Sequence, residues 1–161
     1  MKKFILVSCV FMIFCMPVTS DIKVTYQEQK EHYLEKDNYG YINIPKIGLK
    51  NKFVENGNID KNIIMISPSE YPIVENSILI LAGHSGSGRY AYFNYLYKLR
   101  IGDEVIINYM GNNYKYKIIS IYKQIKDGNI KTYKIRNKKT LVLVTCTNND
   151  KKTQTIYLAV S

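Results

Sequence analysis

Two side chains in this sequence have the types needed for acyl transfer, and each stands where an apolar run gives way to a polar loop. Cys146 follows Leu141-Val142-Leu143-Val144-Thr145 and precedes Thr147-Asn148, while His84 follows Ser77-Ile78-Leu79-Ile80-Leu81-Ala82-Gly83 and precedes Ser85-Gly86. A thiolate is the nucleophile in such chemistry, and a free thiol with a pKa of about 8.5 is mostly protonated at neutral pH. A neighbouring imidazole can take that proton, hold the thiolate as an ion pair and later protonate a leaving amine. Each residue alone also has a plain structural reading: His84 as a hydrogen-bonded residue beneath a glycine-containing loop, Cys146 as an inert buried thiol or an intermolecular partner. The two are 62 residues apart, so only the fold can bring them together.

The elements that must position them read as β-structure. Tyr41 to Pro45 alternates, with the proline suited to a strand end or edge. Asn62 to Ile66 is a short apolar run closed by Ser67-Pro68, and Ser77 to Ala82 is almost continuously apolar, as in a strand buried on both faces. Glu104 to Tyr109 and Tyr114 to Tyr122 flank Gly111-Asn112-Asn113, which predicts a hairpin. Ile130 to Ile135 follows a turn at Asp127-Gly128, and Thr140 to Thr145 and Thr155 to Val160 close the chain. One helical stretch is expected over about Ala91 to Leu99, where Phe93, Leu96 and Tyr97 recur at helical spacing before Gly102. Eight or so short strands with one short helix indicate an all-β barrel or sandwich.

The 161 residues suffice for one domain with a sizeable core. Hydrophobic residues at 46% and charged ones at 22% exclude a disordered or collagen-like chain. Residues 1–20 form a targeting segment: Lys2 and Lys3, an uncharged stretch from Phe4 to Met16, then Pro17 and the small residues Val18-Thr19-Ser20. It reads either as a cleaved signal peptide or as an N-terminal anchor, although the apolar stretch is shorter than the roughly 18 residues of a spanning helix. Both readings export the rest of the chain, and the anchor would tie it to the membrane. Residues 21–38 are polar and mixed in charge, a linker or short helix with the isolated His32, and residues 39–161 make the domain.

Export changes the cysteine arithmetic. Cys9 and Cys15 belong to the targeting segment, so the domain keeps Cys146 alone and has no internal disulfide. The formal charge of +10 falls to +8 once Lys2 and Lys3 go with that segment. An exported protein rarely meets nucleic acid, so no nucleic-acid partner is expected. The lysines, scattered mostly singly, read as a solvated surface, with anionic envelope polymers as the alternative partner.

From Tyr39 to Val160 the chain resembles the sortases, the cysteine transpeptidases of Gram-positive surfaces, nearest their class D type. Four segments in register carry the resemblance: Tyr41-Ile42-Asn43-Ile44-Pro45-Lys46-Ile47-Gly48-Leu49, Leu81-Ala82-Gly83-His84-Ser85, Tyr92-Phe93-Asn94-Tyr95-Leu96 with Leu99-Arg100-Ile101-Gly102-Asp103, and Leu143-Val144-Thr145-Cys146-Thr147. The resemblance implies a closed eight-stranded β-barrel with one or two short helices and the site at one end. It makes Cys146 the nucleophile and His84 the family histidine. It further implies cleavage of an LPxTG-like sorting signal through a thioester, then transfer to an amine of a peptidoglycan cross-bridge or a pilin lysine. No organic cofactor is implied, and no clustered acidic loop suggests calcium.

One departure stands out. The family carries an arginine on the last strand shortly after the cysteine, and no arginine lies after Arg136 here. Gln154 falls at that position, with Thr155 as the alternative. A glutamine amide donates two hydrogen bonds but carries no charge. Arg89, Lys151 or Lys152 are the cations that could reach the site instead. Arg89 and Thr145 are expected to touch substrate, and the loop around Gln124 to Asn129 to read it. Two other functions stay open: a sortase-shaped protein that binds sorting signals without efficient turnover, and a cysteine hydrolase of wall peptides.

Overall fold

Alternation of apolar and polar residues buries one face of β1 (Tyr39–Ile44), where Gly40, Ile42 and Ile44 are covered, and of β5 (Glu104–Tyr109), where Val105, Ile107 and Tyr109 are. The computed structural model describes residues 39–161; the expected targeting segment and linker, with Cys9, Cys15 and His32, lie outside the described residues. The other strands are β2 (Leu49–Glu55), β3 (Ile63–Met65), β4 (Ile78–Ala82), β6 (Asn112–Ile125), β7 (Thr140–Thr147) and β8 (Asp150–Val160). They close into an eight-stranded barrel in the order β1-β2-β3-β4-β7-β8-β6-β5. Only β2–β3 and β4–β7 pair in parallel. The parallel β4–β7 ladder is central, because it sets Ala82 level with Val144 and Leu79 level with Leu141.

The barrel interior is filled by one apolar cluster that includes Ile42, Phe53, Leu79, Leu81, Ile107, Leu141 and Leu143. A second cluster lies on the opposite face of β4, β7 and β8, built from Ile80, Ala82, Val142, Val144, Ile156 and Leu158. Ile59, Ile64, Ile66, Ile130 and Ile135 pack over it. That second core explains the unbroken apolar runs of β4 and β7, which are covered on both faces.

The strand inventory differs from expectation at two places. β2 pairs with β1 from Tyr39↔Val54 to Ile44↔Leu49, although Lys50, Asn51 and Lys52 dilute its apolar signal. Ile130 to Ile135 joins no ladder and instead straps the second core. Side chains of β6 hold the strap in place of a ladder: the Gln124 carbonyl accepts from Lys131 N–H at 3.0 Å, and the Tyr122 hydroxyl donates to the Lys131 carbonyl at 2.9 Å.

The expected helix over Ala91 to Leu99 is a series of turns ending in a 3-10 turn, Leu96–Lys98, and a second 3-10 turn spans Pro45–Ile47. Of the three residues expected to share a face, Phe93 and Leu96 are buried but Tyr97 is exposed; Leu99 is buried instead, and a spacing of three suits 3-10 winding. The β5–β6 turn falls at Met110-Gly111, one residue earlier than expected, with φ of 51° and 74°. A two-residue turn of that hand needs positive φ at both positions, and Asn112 and Asn113 begin β6.

Candidate active site

Strand parity decides which side chains meet. Along β7, Leu141 and Leu143 enter the barrel, so Val142, Val144 and Cys146 take the outer face that carries the second core. Along β8 the same alternation puts Gln154 in line with Ile156 and Leu158 on that face, and the ladder pairs Cys146 directly with Gln154. On the other side of β7, the register that pairs Ala82 with Val144 continues past the end of β4, where Gly83 N–H donates to the Val144 carbonyl at 3.2 Å. His84 therefore comes level with Cys146. The row His84–Cys146–Gln154 crosses three neighbouring segments at one end of the barrel.

The backbone around this row is pinned from below. The Thr145 hydroxyl, buried, donates to the Gly83 carbonyl at 2.8 Å, and the Ser85 hydroxyl donates to the Cys146 carbonyl at 2.8 Å. Phe93 N–H donates to the His84 carbonyl at 2.9 Å. The Phe93 ring packs so closely under Gly83 that a Cβ there would sit 3.0 Å from it, which is why the residue before the histidine is glycine. Further on, the Asp103 carboxylate takes Arg100 N–H at 2.6 Å and Lys46 Nζ at 2.7 Å, closing the Leu99–Asp103 bend.

Five polar contacts define the site itself. His84 Nε2 lies 3.0 Å from the Asp60 carboxylate. Lys126 Nζ donates to Cys146 Sγ at 3.3 Å, and the backbone N–H of Lys126 is held by the Lys152 carbonyl at 2.9 Å. The Gln154 amide donates to the Asn129 carbonyl at 2.8 Å, and the Gln124 amide donates to the same oxygen at 2.8 Å. Both glutamines thus fasten the segment that follows β6 across the open end.

Cys146 and Lys126 stand between two clefts. One, of about 370 Å³, has an apolar floor of Ile59, Ile66, Ala82, Ile130 and Val144 and carries His84 and Gln154 at its edge. The other, of about 570 Å³, is lined by Ser85, Gly86 and the β7–β8 turn from Thr147 to Lys151. Asp150 borders that second cleft. The Thr153 hydroxyl and the Lys152 N–H hold its carboxyl below the usual carboxylate range, so it stays negatively charged.

Of the residues expected from sequence, Cys146, His84 and Gln154 come together. Thr145 borders the apolar cleft, but its hydroxyl is committed to Gly83. Thr155 turns to the other face and bonds Thr147. Arg89 lies against the Tyr90 ring, 5.6 Å from its centre, and lines neither cleft. Lys151 lines the second cleft, and Lys152 contributes its carbonyl. The cation at the sulfur is Lys126, which sequence reading did not single out although it lies inside the Gln124–Asn129 loop expected to read substrate. Nothing in the spacing connects a lysine 20 residues upstream with the thiol.

A family model described as the sortase domain matches residues 42–160. Among solved structures, a sortase D5 transpeptidase of Clostridium perfringens is 28% identical, with a TM-score of 0.69 over 83% of this chain and 87% of that one. Sortase C1 of Streptococcus agalactiae is 24% identical, with a TM-score of 0.70 over 92% and 78% of the two chains. A lid mutant of sortase A from Corynebacterium diphtheriae shares the fold at 19% identity and a TM-score of 0.71, over 90% and 81%. No curated protein sequence matches the chain.

Proposed function

The chain belongs to the sortase family, and on that premise we propose that it cleaves an LPxTG-like sorting signal through a thioester on Cys146 and passes the acyl group to an amine of the cell wall or a pilin. It is a sortase, a cysteine transpeptidase by family. The finer reading rests above all on one observation: Cys146 stands at the meeting of an apolar cleft edged by His84 and a polar cleft bordered by the Asp150 carboxylate. The apolar cleft suits the leucine and proline of a sorting signal. The polar one offers an ammonium acceptor a route to the same sulfur. The chain works outside the membrane in this reading, delivered by residues 1–20.

The chemistry takes two acyl transfers. The Cys146 thiolate attacks the scissile carbonyl carbon, a C–S bond forms, and the carbonyl electron pair moves onto oxygen. Collapse of that oxyanion re-forms C=O and breaks the C–N bond, with the leaving amine taking a proton from His84. The acceptor, having lost one proton from its ammonium form to solvent, attacks the thioester as the free amine and gives a second proton to His84, and the C–S bond breaks to return the thiolate. Asp60, at 3.0 Å, orients the imidazole. Between the two steps the acyl group stays bonded to Cys146 as the thioester.

The test is acyl-adduct formation by mass spectrometry, using the full chain, a panel of LPxTG-like fluorogenic peptides and an added amine. An adduct on Cys146 that the amine releases, absent in Cys146→Ala, carries the proposal. A second reading, a protein that binds sorting signals without turnover, draws on Gln154 at the arginine position. It takes over if only Gln154→Arg forms the adduct.

A further inference from the structure

The position expected to bear the site's positive charge holds a neutral amide, and that amide is already engaged with the Asn129 carbonyl. A cation nevertheless touches the reacting sulfur. Lys126 Nζ donates to Cys146 Sγ at 3.3 Å from the first residue after β6, a different element from the one expected to supply it. We propose that Lys126 is a catalytic residue that supplies this charge, first to the thiolate and then to the oxyanion formed two bonds away from the sulfur, and that Gln154 acts as a positioning residue that holds Lys126's segment over the site. The proposal deepens the transpeptidase reading and rests on it for the oxyanion step.

Three features make the arrangement a built one. Lys126 is fixed at its own backbone by the Lys152 carbonyl, just before β8 reaches Gln154. Two residues beyond Asp127, the Asn129 carbonyl takes donors from both Gln124 and Gln154, so the ends of a four-residue span are anchored to neighbouring strands. Lys126 also lines both clefts, as Cys146 does, which is where a charge must sit to follow the reaction from donor to acceptor. An ammonium stabilises a thiolate by direct charge, and a lysine is a compact point charge on a flexible stem, able to swing from sulfur to the developing oxygen. Gln154, tethered to the Asn129 carbonyl and uncharged, does not supply that charge.

The charged and titratable groups around the sulfur are His84 from the β4 end, Asp60 behind it, Asp127 beside Lys126, and Asp150 and Lys151 from the β7–β8 turn. Among the described lysines and arginines, Lys126 is the one hydrogen-bonded to Sγ.

The experiment compares the full chain with Lys126→Met, Lys126→Arg, Gln154→Ala and Lys126→Met/Gln154→Arg, with Lys123→Met on the exposed side of β6 as a control. One arm measures iodoacetamide alkylation of Cys146 at pH 6.5 and at pH 9.5. The other measures acyl-adduct formation with the peptide panel, and thermal melts check folding. Lys126→Met is expected to alkylate roughly fivefold more slowly at pH 6.5, the scale of one partly exposed ion pair, and normally at pH 9.5. Its kcat/KM is expected to fall on the order of 10²-fold, as for loss of one oxyanion donor. Lys126→Arg and the double variant are expected to recover most of that loss, whereas Gln154→Ala is expected to lower the rate with a smaller change in alkylation.

Alkylation and turnover of Lys126→Met within twofold of wild type would overturn the proposal while leaving the transpeptidase reading intact. If the wild-type chain forms no adduct but Lys126→Met still alkylates slowly at pH 6.5, the pairing stands and the substrate class falls. Equal loss in Lys123→Met would also overturn it, since the effect would then be one of net charge.

Discussion

Replacing Thr145 by valine removes one hydroxyl and almost nothing else. Valine keeps the β-branched shape that a strand accepts, so packing against the barrel interior is preserved. What disappears is the 2.8 Å bond to the Gly83 carbonyl, made by a residue only 6% exposed. An acceptor left buried without its donor costs about 1–3 kcal/mol. A domain of about 120 residues has an unfolding entropy near 0.25 kcal/mol/K, so the melting temperature of Thr145→Val should fall by roughly 4–12 °C. Thr145→Ser retains the hydroxyl and should fall by less than about 4 °C. The change also frees the Gly83–His84 step from β7, so acyl-adduct formation should slow beyond what the unfolded fraction explains at 25 °C. Circular dichroism melts of the full chain, read beside adduct rates well below the transition, check both. A Thr145→Val melt within about 2 °C of wild type would refute the reasoning, because the hydroxyl would then contribute nothing net. A lower melt with an unchanged adduct rate would confine its role to the barrel.

Gln154→Ala should expose the 126–139 segment to faster amide hydrogen exchange and earlier proteolytic nicking while the barrel strands keep their protection, since it removes one of two donors on the Asn129 carbonyl. Asp103→Asn should destabilise at neutral pH. Partial burial raises the Asp103 carboxyl, but the Lys46 ammonium and Arg100 N–H outweigh it and hold the group below its ordinary range. A carboxyl depressed in the folded state stabilises above its unfolded value, so the difference in melting temperature between wild type and Asp103→Asn should begin to shrink as pH falls below about 4 and vanish only below the depressed folded value. At the alkaline end, burial pushes Tyr109 and Tyr157 up to about 12 and raises Tyr116 as well. The unfolded chain ionises near pH 10, so stability should decline from there upward. Tyrosinate absorbance should then rise in two stages, the second coinciding with loss of β-structure.

The legible parts of the fold were those where burial is unambiguous. β4 and β7 lie between two cores, and an unbroken apolar run can mean little else in a chain of short strands. β5 announced itself by alternation and kept its expected bounds, Glu104–Tyr109. β2 was hidden because only Phe53 among its residues is fully buried, and its lysines read as a loop. Ile130 to Ile135 was read as a strand, but it is a strap with no ladder partner whose end isoleucines are half-buried against the second core, a distinction apolar count cannot make. At the site, Cys146 and His84 were readable from their place at strand ends. Gln154 was found by counting along a resemblance, and the register now gives it a reason, opposite Cys146 on β8. Arg89 was chosen for closeness in sequence to His84, yet the chain turns there through Gly86 and Gly88 and leaves it against Tyr90. Lys126 needed the β6–β8 pairing to be known first.

The order of strands around the barrel has a consequence for how the molecule comes into being. β7 and β8 are synthesised after the other six barrel strands, yet they are inserted between β4 and β6. A chain that has grown only as far as Lys139 therefore has two open sheet margins, one of them the apolar Ile78–Ala82. Such margins invite pairing with other chains. The β7–β8 hairpin is the keystone that shuts both, and it is also the piece that carries Cys146. A nascent or truncated chain thus holds His84 but no nucleophile, and the sulfur arrives in the same event that removes the exposed edges. Reactivity and solubility are in this way handed to the protein together, in the hairpin formed by β7 and β8.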